Sequence, residues 1–132
     1  MVTLLLDSAQ LEIVLSGAER LTAFRKRNIV VERSSITRAQ LTDDPWTWLR
    51  GTRGCSTYVP GVTAAGTWRT GVGDDFAVIR AKRPGVVIDL DESAEFSRII
   101  LTTRHGVALL RALRLDGGDE PTDVAELAPD AG

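Results

Sequence analysis

The chain is poor in the residues from which sites are built. A single cysteine, Cys55, among 132 residues excludes an intramolecular disulfide and any multi-cysteine metal centre, and a single histidine, His105, leaves the usual zinc ligand sets incomplete. Such sparing use of thiols fits a reducing cytoplasm. Long hydrophobic runs are also missing. The apolar stretch at 2–6 stops at Asp7 and has no basic flank before it, so it is too short for a signal peptide or a membrane span. His105 stands beside Arg104 near the expected start of a helix, which gives a Ser/His/Asp or Cys/His catalyst little to be built from. Gly71-Val72-Gly73 leads into a strand rather than a helix, and so lacks the free N–H groups and dipole of a dinucleotide site. Asp89-Leu90-Asp91-Glu92 is not embedded in a twelve-residue calcium loop. No cofactor, metal site or catalytic residue is therefore expected, and a small enzyme using a carboxylate pair without sequence signature stands as the third-ranked reading.

The formal net charge of -2 conceals an asymmetry. All 16 basic residues and 12 of the 18 acidic ones lie within 1–114, which leaves that segment at +4, while 115–132 holds six acids and no cation. Gly, Pro and acid dominate 115–132, and a stretch with so little to bury cannot offset the entropy of ordering. The expectation is one domain at 1–114 and a disordered acidic tail at 115–132. A domain of that size buries roughly two thirds of its unfolded surface without disulfides. A mildly basic domain with an acidic tail is a poor nucleic-acid binder, which should show a pI above about 9 or an aromatic stacking surface.

Short β-branched and aromatic runs separated by turn residues fill most of the chain. Apolar runs at 2–6 and 11–15 flank Asp7-Ser8-Ala9-Gln10 and predict a hairpin. Ser16 followed by Glu19 is a capping-box spacing that predicts a short helix to about Arg25, with Ala18, Leu21 and Phe24 as its buried stripe. Strands are predicted at 28–32, 36–41, 62–70, 75–80, 86–90 and 96–101, with turns at 71–74, 82–85 and 91–94. Asp43-Asp44-Pro45 ends the second of these. Trp46 and Trp48 share one face if that piece is extended, and Gly51, Gly54 and Pro60-Gly61 predict an irregular stretch after it. Val107, Leu110 and Leu113, with Leu109 four before Leu113, predict an amphipathic closing helix over 103–114, capped by Thr102 or Thr103.

Val59-Pro60-Gly61, Gly66-Thr67-Trp68, Phe76-Ala77-Val78-Ile79-Arg80, Val86-Val87-Ile88-Asp89-Leu90 and Phe96-Ser97-Arg98-Ile99-Ile100-Leu101 before the helix resemble the small bacterial proteins with a pleckstrin-homology-like (PH-like) domain, best over 29–113. The resemblance implies a mainly β fold: a bent antiparallel sheet or barrel closed by a C-terminal α-helix, here with a short inserted N-terminal helix. It implies a binding and scaffolding role rather than a reaction. Family members that bind phosphoinositides use several basic side chains on the first strand pair and its loop. The loop at Asp7 to Gln10 has none, and if the barrel begins at Ile29 the corresponding loop holds Arg33 alone.

The leading expectation is thus a non-catalytic module that binds a protein partner or a second copy of itself, through a sheet edge or through Trp46, Trp48, Arg50 and Arg53, since tryptophan and arginine anchor interfaces. The alternative is an anionic-ligand or membrane-headgroup binder in which Arg25, Lys26, Arg27 and Arg33 make a basic patch. The bland reading of those charges is a solvated surface, and that of the tryptophans is packing.

Overall fold

Alternating apolar positions organise the chain into strands, and the computed structural model describes residues 2–114 and 122–123. The strands are β1 (Thr3–Leu6), β2 (Gln10–Val14), β3 (Ile29–Glu32), β4 (Ile36–Thr42), β5 (Thr52–Val59), β6 (Thr63–Thr70), β7 (Gly73–Arg80), β8 (Gly85–Leu90), β9 (Arg98–Thr102) and β10 (Thr122–Asp123). Helix α1 (Gly17–Thr22) follows β2, and α2 (Gly106–Arg114) follows β9. One sheet runs β10-β1-β2-β3 and the other β4-β8-β9-β7-β6-β5. Of the acidic tail expected to be disordered, only Thr122–Asp123 is described, paired with β1 through Leu5↔Asp123 and Leu6↔Thr122. The expectation for the rest of 115–132 lies outside the described residues.

The chain is mainly β, as the patterning predicts, but among the described residues neither sheet closes into a barrel. Nor is the larger sheet wholly antiparallel. β9 lies parallel to β7, with Phe76↔Ile99 and Val78↔Leu101, and antiparallel to β8. β7 and β8 are joined by only four residues yet are not neighbours, because β9 returns through the 91–97 loop to lie between them.

Strand alternation divides the interior. Phe76, Val78, Val86, Ile88, Ile99 and Leu101 face the smaller sheet's Leu4, Leu6, Leu11, Ile13, Ile29 and Val31 and, with Leu109 of α2, form the main core. The opposite parity of the same strands, Ala77, Ile79, Val87 and Ile100, joins Ala64 and Trp68 in a second cluster. Apolar residues on both faces explain why β7, β8 and β9 read as near-continuous hydrophobic runs rather than strict alternations. α2 begins at Gly106, three residues later than predicted, because the Thr103 hydroxyl accepts the His105 N–H at 3.1 Å in the turn before it. Its buried side is Ala108, Leu109 and Ala112, while Val107 faces outward.

The stretch after Gly51, expected to be irregular, is the eight-residue β5. Its one glycine, Gly54, lies in a bulge instead of a loop: pairing with β6 shifts register between Arg53 and Ser56. Gly66, at φ +139°, lies opposite that bulge, where a Cβ would stand 2.3 Å from the Cys55 carbonyl oxygen. Only a residue without a side chain lets the two backbones approach there. Among the described residues no helix is long and apolar enough to cross a membrane.

The capping box forms as the Ser16/Glu19 spacing predicts. Glu19 N–H donates to Ser16 Oγ at 3.2 Å, and Ser16 N–H to Glu19 Oε1 at 2.8 Å. The predicted buried stripe does not. Glu19 is 1% exposed and Ala23 is buried, whereas Ala18 is exposed, Leu21 is 79% exposed and Phe24 63%. The six-residue helix is oriented by the box, which turns Glu19 into the protein, and the opposite, apolar side follows outward. Arg20 adds to this orientation by donating to Asn28 Oδ1 at 2.9 Å.

Phe24 itself closes the helix in a left-handed conformation, φ 57°. Its N–H donates to the Leu21 carbonyl at 3.3 Å and the Arg25 N–H to the Arg20 carbonyl at 2.9 Å, the bond pair of a Schellman cap whose left-handed position is usually glycine. A β-carbon there costs about 1 kcal/mol or more. Phe24→Gly is therefore expected to raise stability by about 1 kcal/mol. Urea unfolding should show a higher midpoint at unchanged slope; a loss of stability would mean that the phenyl ring packs somewhere after all.

Candidate interaction surface

The outer face of the larger sheet is where the sequence placed its partner-binding residues. The segment after Pro45 is a 3-10 turn, Pro45–Trp48, not the extended piece on which a shared face for the tryptophans was conditional. Proline at its first position and Asp44 Oδ1, which accepts the Trp46 N–H at 3.1 Å, start the turn. It folds back over the sheet, so that Trp46, Trp48 and Leu49 cover the second cluster. Both indole N–H groups are satisfied, Trp46 by the Ala81 carbonyl at 2.8 Å and Trp48 by Thr42 Oγ1 at 3.0 Å. Half-buried and hydrogen-bonded at their polar tips, the two rings serve chiefly as the lid of that cluster.

Arg50 is likewise committed. Its Nε and Nη2 donate to Asp75 Oδ2 and Oδ1 at 2.7 and 3.1 Å, and Ser97 Oγ donates to the same carboxylate at 2.9 Å. Asp75 is 1% exposed. This forked hydrogen bond holds the guanidinium above its ordinary value. A raised arginine pKa contributes stability that is complete below the unfolded value and lost only as pH rises through the higher folded one, so across the working pH range the arginine stays charged. The neighbouring Arg98 donates to Asp89 at 2.6 Å and lies 5.2 Å from the Trp48 ring. Of the four residues offered for partner binding, only Arg53 is fully on the surface, its guanidinium 5.8 Å from the Tyr58 ring.

Tyr58 was not singled out in the sequence, yet it joins the surface together. Its ring stands edge-on to Trp46 at 6.0 Å and to Trp68 at 6.5 Å. Tyr58, Trp46, Pro60, Gly61, Asp43 and Lys82 border a cavity of about 440 Å³. That cavity opens at the end of β5, which among the described residues has β6 on one side and no strand on the other. The signal for Tyr58 was its position one residue before Val59-Pro60-Gly61, but only the bulged pairing of β5 reveals that it ends an edge.

The basic residues do not assemble as one patch. Arg33 donates to the Asp7, Ala112 and Leu113 carbonyls at 3.0, 2.9 and 2.9 Å, tying the first hairpin to the C-terminal end of α2, where the helix dipole favours a cation. Arg25 turns inward. It pairs with Glu95 at 3.4 Å and lies over the Phe76 and Phe96 rings at 5.8 and 5.3 Å. Lys26 and Arg27 are exposed.

A concavity of about 800 Å³ lies between the β6–β7 turn and the β8–β9 loop and is rimmed by Asp74, Asp91, Glu92 and Glu95. Hydrogen bonds from the Ser93 hydroxyl and backbone hold the Asp91 carboxyl below the usual carboxylate range. Neither Cys55 nor His105 lines it, and among the described residues no three His, Cys, Asp or Glu side chains gather as a metal site. Comparison with family models, with curated proteins and with solved structures gives no match to this chain.

Proposed function

We propose that the chain is a non-catalytic interaction module, of the PH-like kind its sequence resembles, that takes an extended segment of a partner protein or of a second copy along β5. The observation that carries this reading is the outer side of β5, an eight-residue strand that no other strand pairs with among the described residues, leading to the aromatic cavity at Tyr58. An edge strand offers a row of backbone donors and acceptors to an incoming strand, and a side-chain pocket at its end supplies selectivity. The α-helix that follows β9 in a mainly β fold is in keeping with the PH-like resemblance, while the parallel β7–β9 pair and the lack of closure among the described residues depart from it. Trp46, Trp48 and Leu49 are committed to the second cluster and Arg50 to Asp75, which favours the edge over the loop.

Cys55, exposed on β5, gives a test without altering the strand. A maleimide cross-linker attached there should capture a second copy, or a partner protein whose capture is lost with Tyr58→Lys. A control cysteine at the exposed Thr37 of β4, in a Cys55→Ser background, should capture neither. Light scattering that shows a monomer at every concentration, together with no Cys55 adduct above the Thr37 control in any lysate, would overturn the reading.

A further inference from the structure

We propose that the corner closing α1, made by Leu21, Phe24, Lys26 and Arg27, is an anchor that seats this protein on an anionic membrane surface. The proposal does not rest on the β5 edge, although the two adjoin: the Thr57 hydroxyl of β5 donates to the Thr22 carbonyl at the end of α1 at 2.7 Å.

Three observations converge on it. The first is the inverted helix, which hides a glutamate and presents Leu21 and Phe24 to solvent. The second is the backbone at Phe24, a left-handed position where glycine is the stable choice. An aromatic residue held at a left-handed φ with 63% of its surface exposed is a costly choice for the fold, and such outliers point toward function. The third is charge. From Arg20 to Val31 the sequence contains no acid. Lys26 and Arg27 are exposed and have no carboxylate partner among the described residues. Arg25, which does have one in Glu95, lies over the Phe76 and Phe96 rings and roots the corner in the core.

The shape selects the occupant. The shallow dent at this corner is lined by four consecutive residues, Phe24, Arg25, Lys26 and Arg27, and no second segment borders it to make a peptide groove. A protein partner would need a matching hollow; a bilayer interface accepts a wedge without one. Leucine and phenylalanine enter the boundary between headgroups and acyl chains, while lysine and arginine remain at the level of the anionic headgroups. With two cations and two apolar side chains the attachment is reversible and depends on salt.

The experiment is co-sedimentation of the full chain with phosphatidylcholine vesicles with and without phosphatidylserine, at low and high salt. Binding is expected on the phosphatidylserine vesicles only, and to fall at high salt. Phe24→Gly should remain folded, with a higher unfolding midpoint, yet lose about tenfold in partition coefficient, as removal of a buried aromatic ring implies. Lys26→Glu with Arg27→Glu should abolish binding. A wild-type chain that does not sediment with phosphatidylserine vesicles overturns the proposal, as does binding that both variants leave intact. If vesicles capture nothing while Phe24→Gly dissolves a dimer seen by light scattering, the corner is a protein contact and the membrane proposal is wrong.

Discussion

Phe76→Ala should cost about 3–5 kcal/mol, the range for removing a fully buried phenylalanine, and is expected to be the most damaging single truncation considered for this chain. Phe76 is 0% exposed at the centre of β7. It faces Ile99 across the parallel pair, its ring is 5.4 Å from that of Phe96, and it forms part of the surface under Arg25. The void would therefore open where both sheets and the α1 corner meet, and little nearby can collapse into it without moving a strand. Chemical denaturation should show the midpoint falling at constant slope. A loss under about 1.5 kcal/mol would mean that the core repacks around the gap as it does for a volume-conserving exchange.

Arg50→Met should cost about 2–3 kcal/mol, because it strands the Asp75 carboxylate in the interior with only Ser97 to bond it. Removing one member of a buried pair costs about 3–5 kcal/mol. Arg50 keeps 36% of its side chain in water, so the lower figure is expected here. The converse change, Asp75→Asn, should be milder: the amide oxygen still accepts from Ser97, and the freed guanidinium can turn to solvent. The double variant should then lose less than the two single losses added together, since it leaves no charge behind. Additive losses in that cycle would show that the two side chains do not act as a pair, and equal single losses would remove the asymmetry on which the argument rests.

The same pair illustrates what the sequence could and could not reveal. Turn residues and β-branched runs located the strands at 2–6, 28–32, 36–41, 62–70, 75–80 and 86–90, because local propensity and the tertiary structure agree there. The Ser16/Glu19 box was legible for the same reason: both halves of the interaction lie within one turn. Arg50 and Asp75 are 25 positions apart, and no pattern marks one for the other. Their acquaintance depends on β5 lying two strands from β7. β5 itself was missed because glycine reads as a loop signal, whereas Gly54 and Gly66 permit a bulge and a close backbone approach.

The orientation of α1 failed differently. Periodicity identifies an apolar side of a helix but not where the rest of the protein stands, and over six residues the capping box outweighs a stripe of Ala18, Leu21 and Phe24. Candidate sites suffered in the same way. Arg25, Lys26, Arg27 and Arg33 look alike in sequence, yet Arg33 spans three carbonyls, Arg25 stacks on two rings, and only Lys26 and Arg27 are left at the surface. Tryptophan serves interfaces and interiors equally well, and the surroundings of Trp46 and Trp48 assign them chiefly to the interior. Tyr58, which no motif recommended, borders the opening at the end of the edge.

The position of β9 has a consequence for how the molecule comes into being. Before residues 98–102 are available, β5, β6 and β7 can form a three-stranded meander and β4 can pair with β8, but nothing joins these halves, and each exposes a strand edge that is central in the finished sheet. Pairing over such distances is slow because the loop entropy must be met before the contacts form. Docking of β9 against β7, which joins the two halves, is thus expected to set the folding rate. Substitutions at Ile99 and Ile100 should slow refolding in proportion to the stability they remove, while those at Tyr58 or Val59 should mainly hasten unfolding.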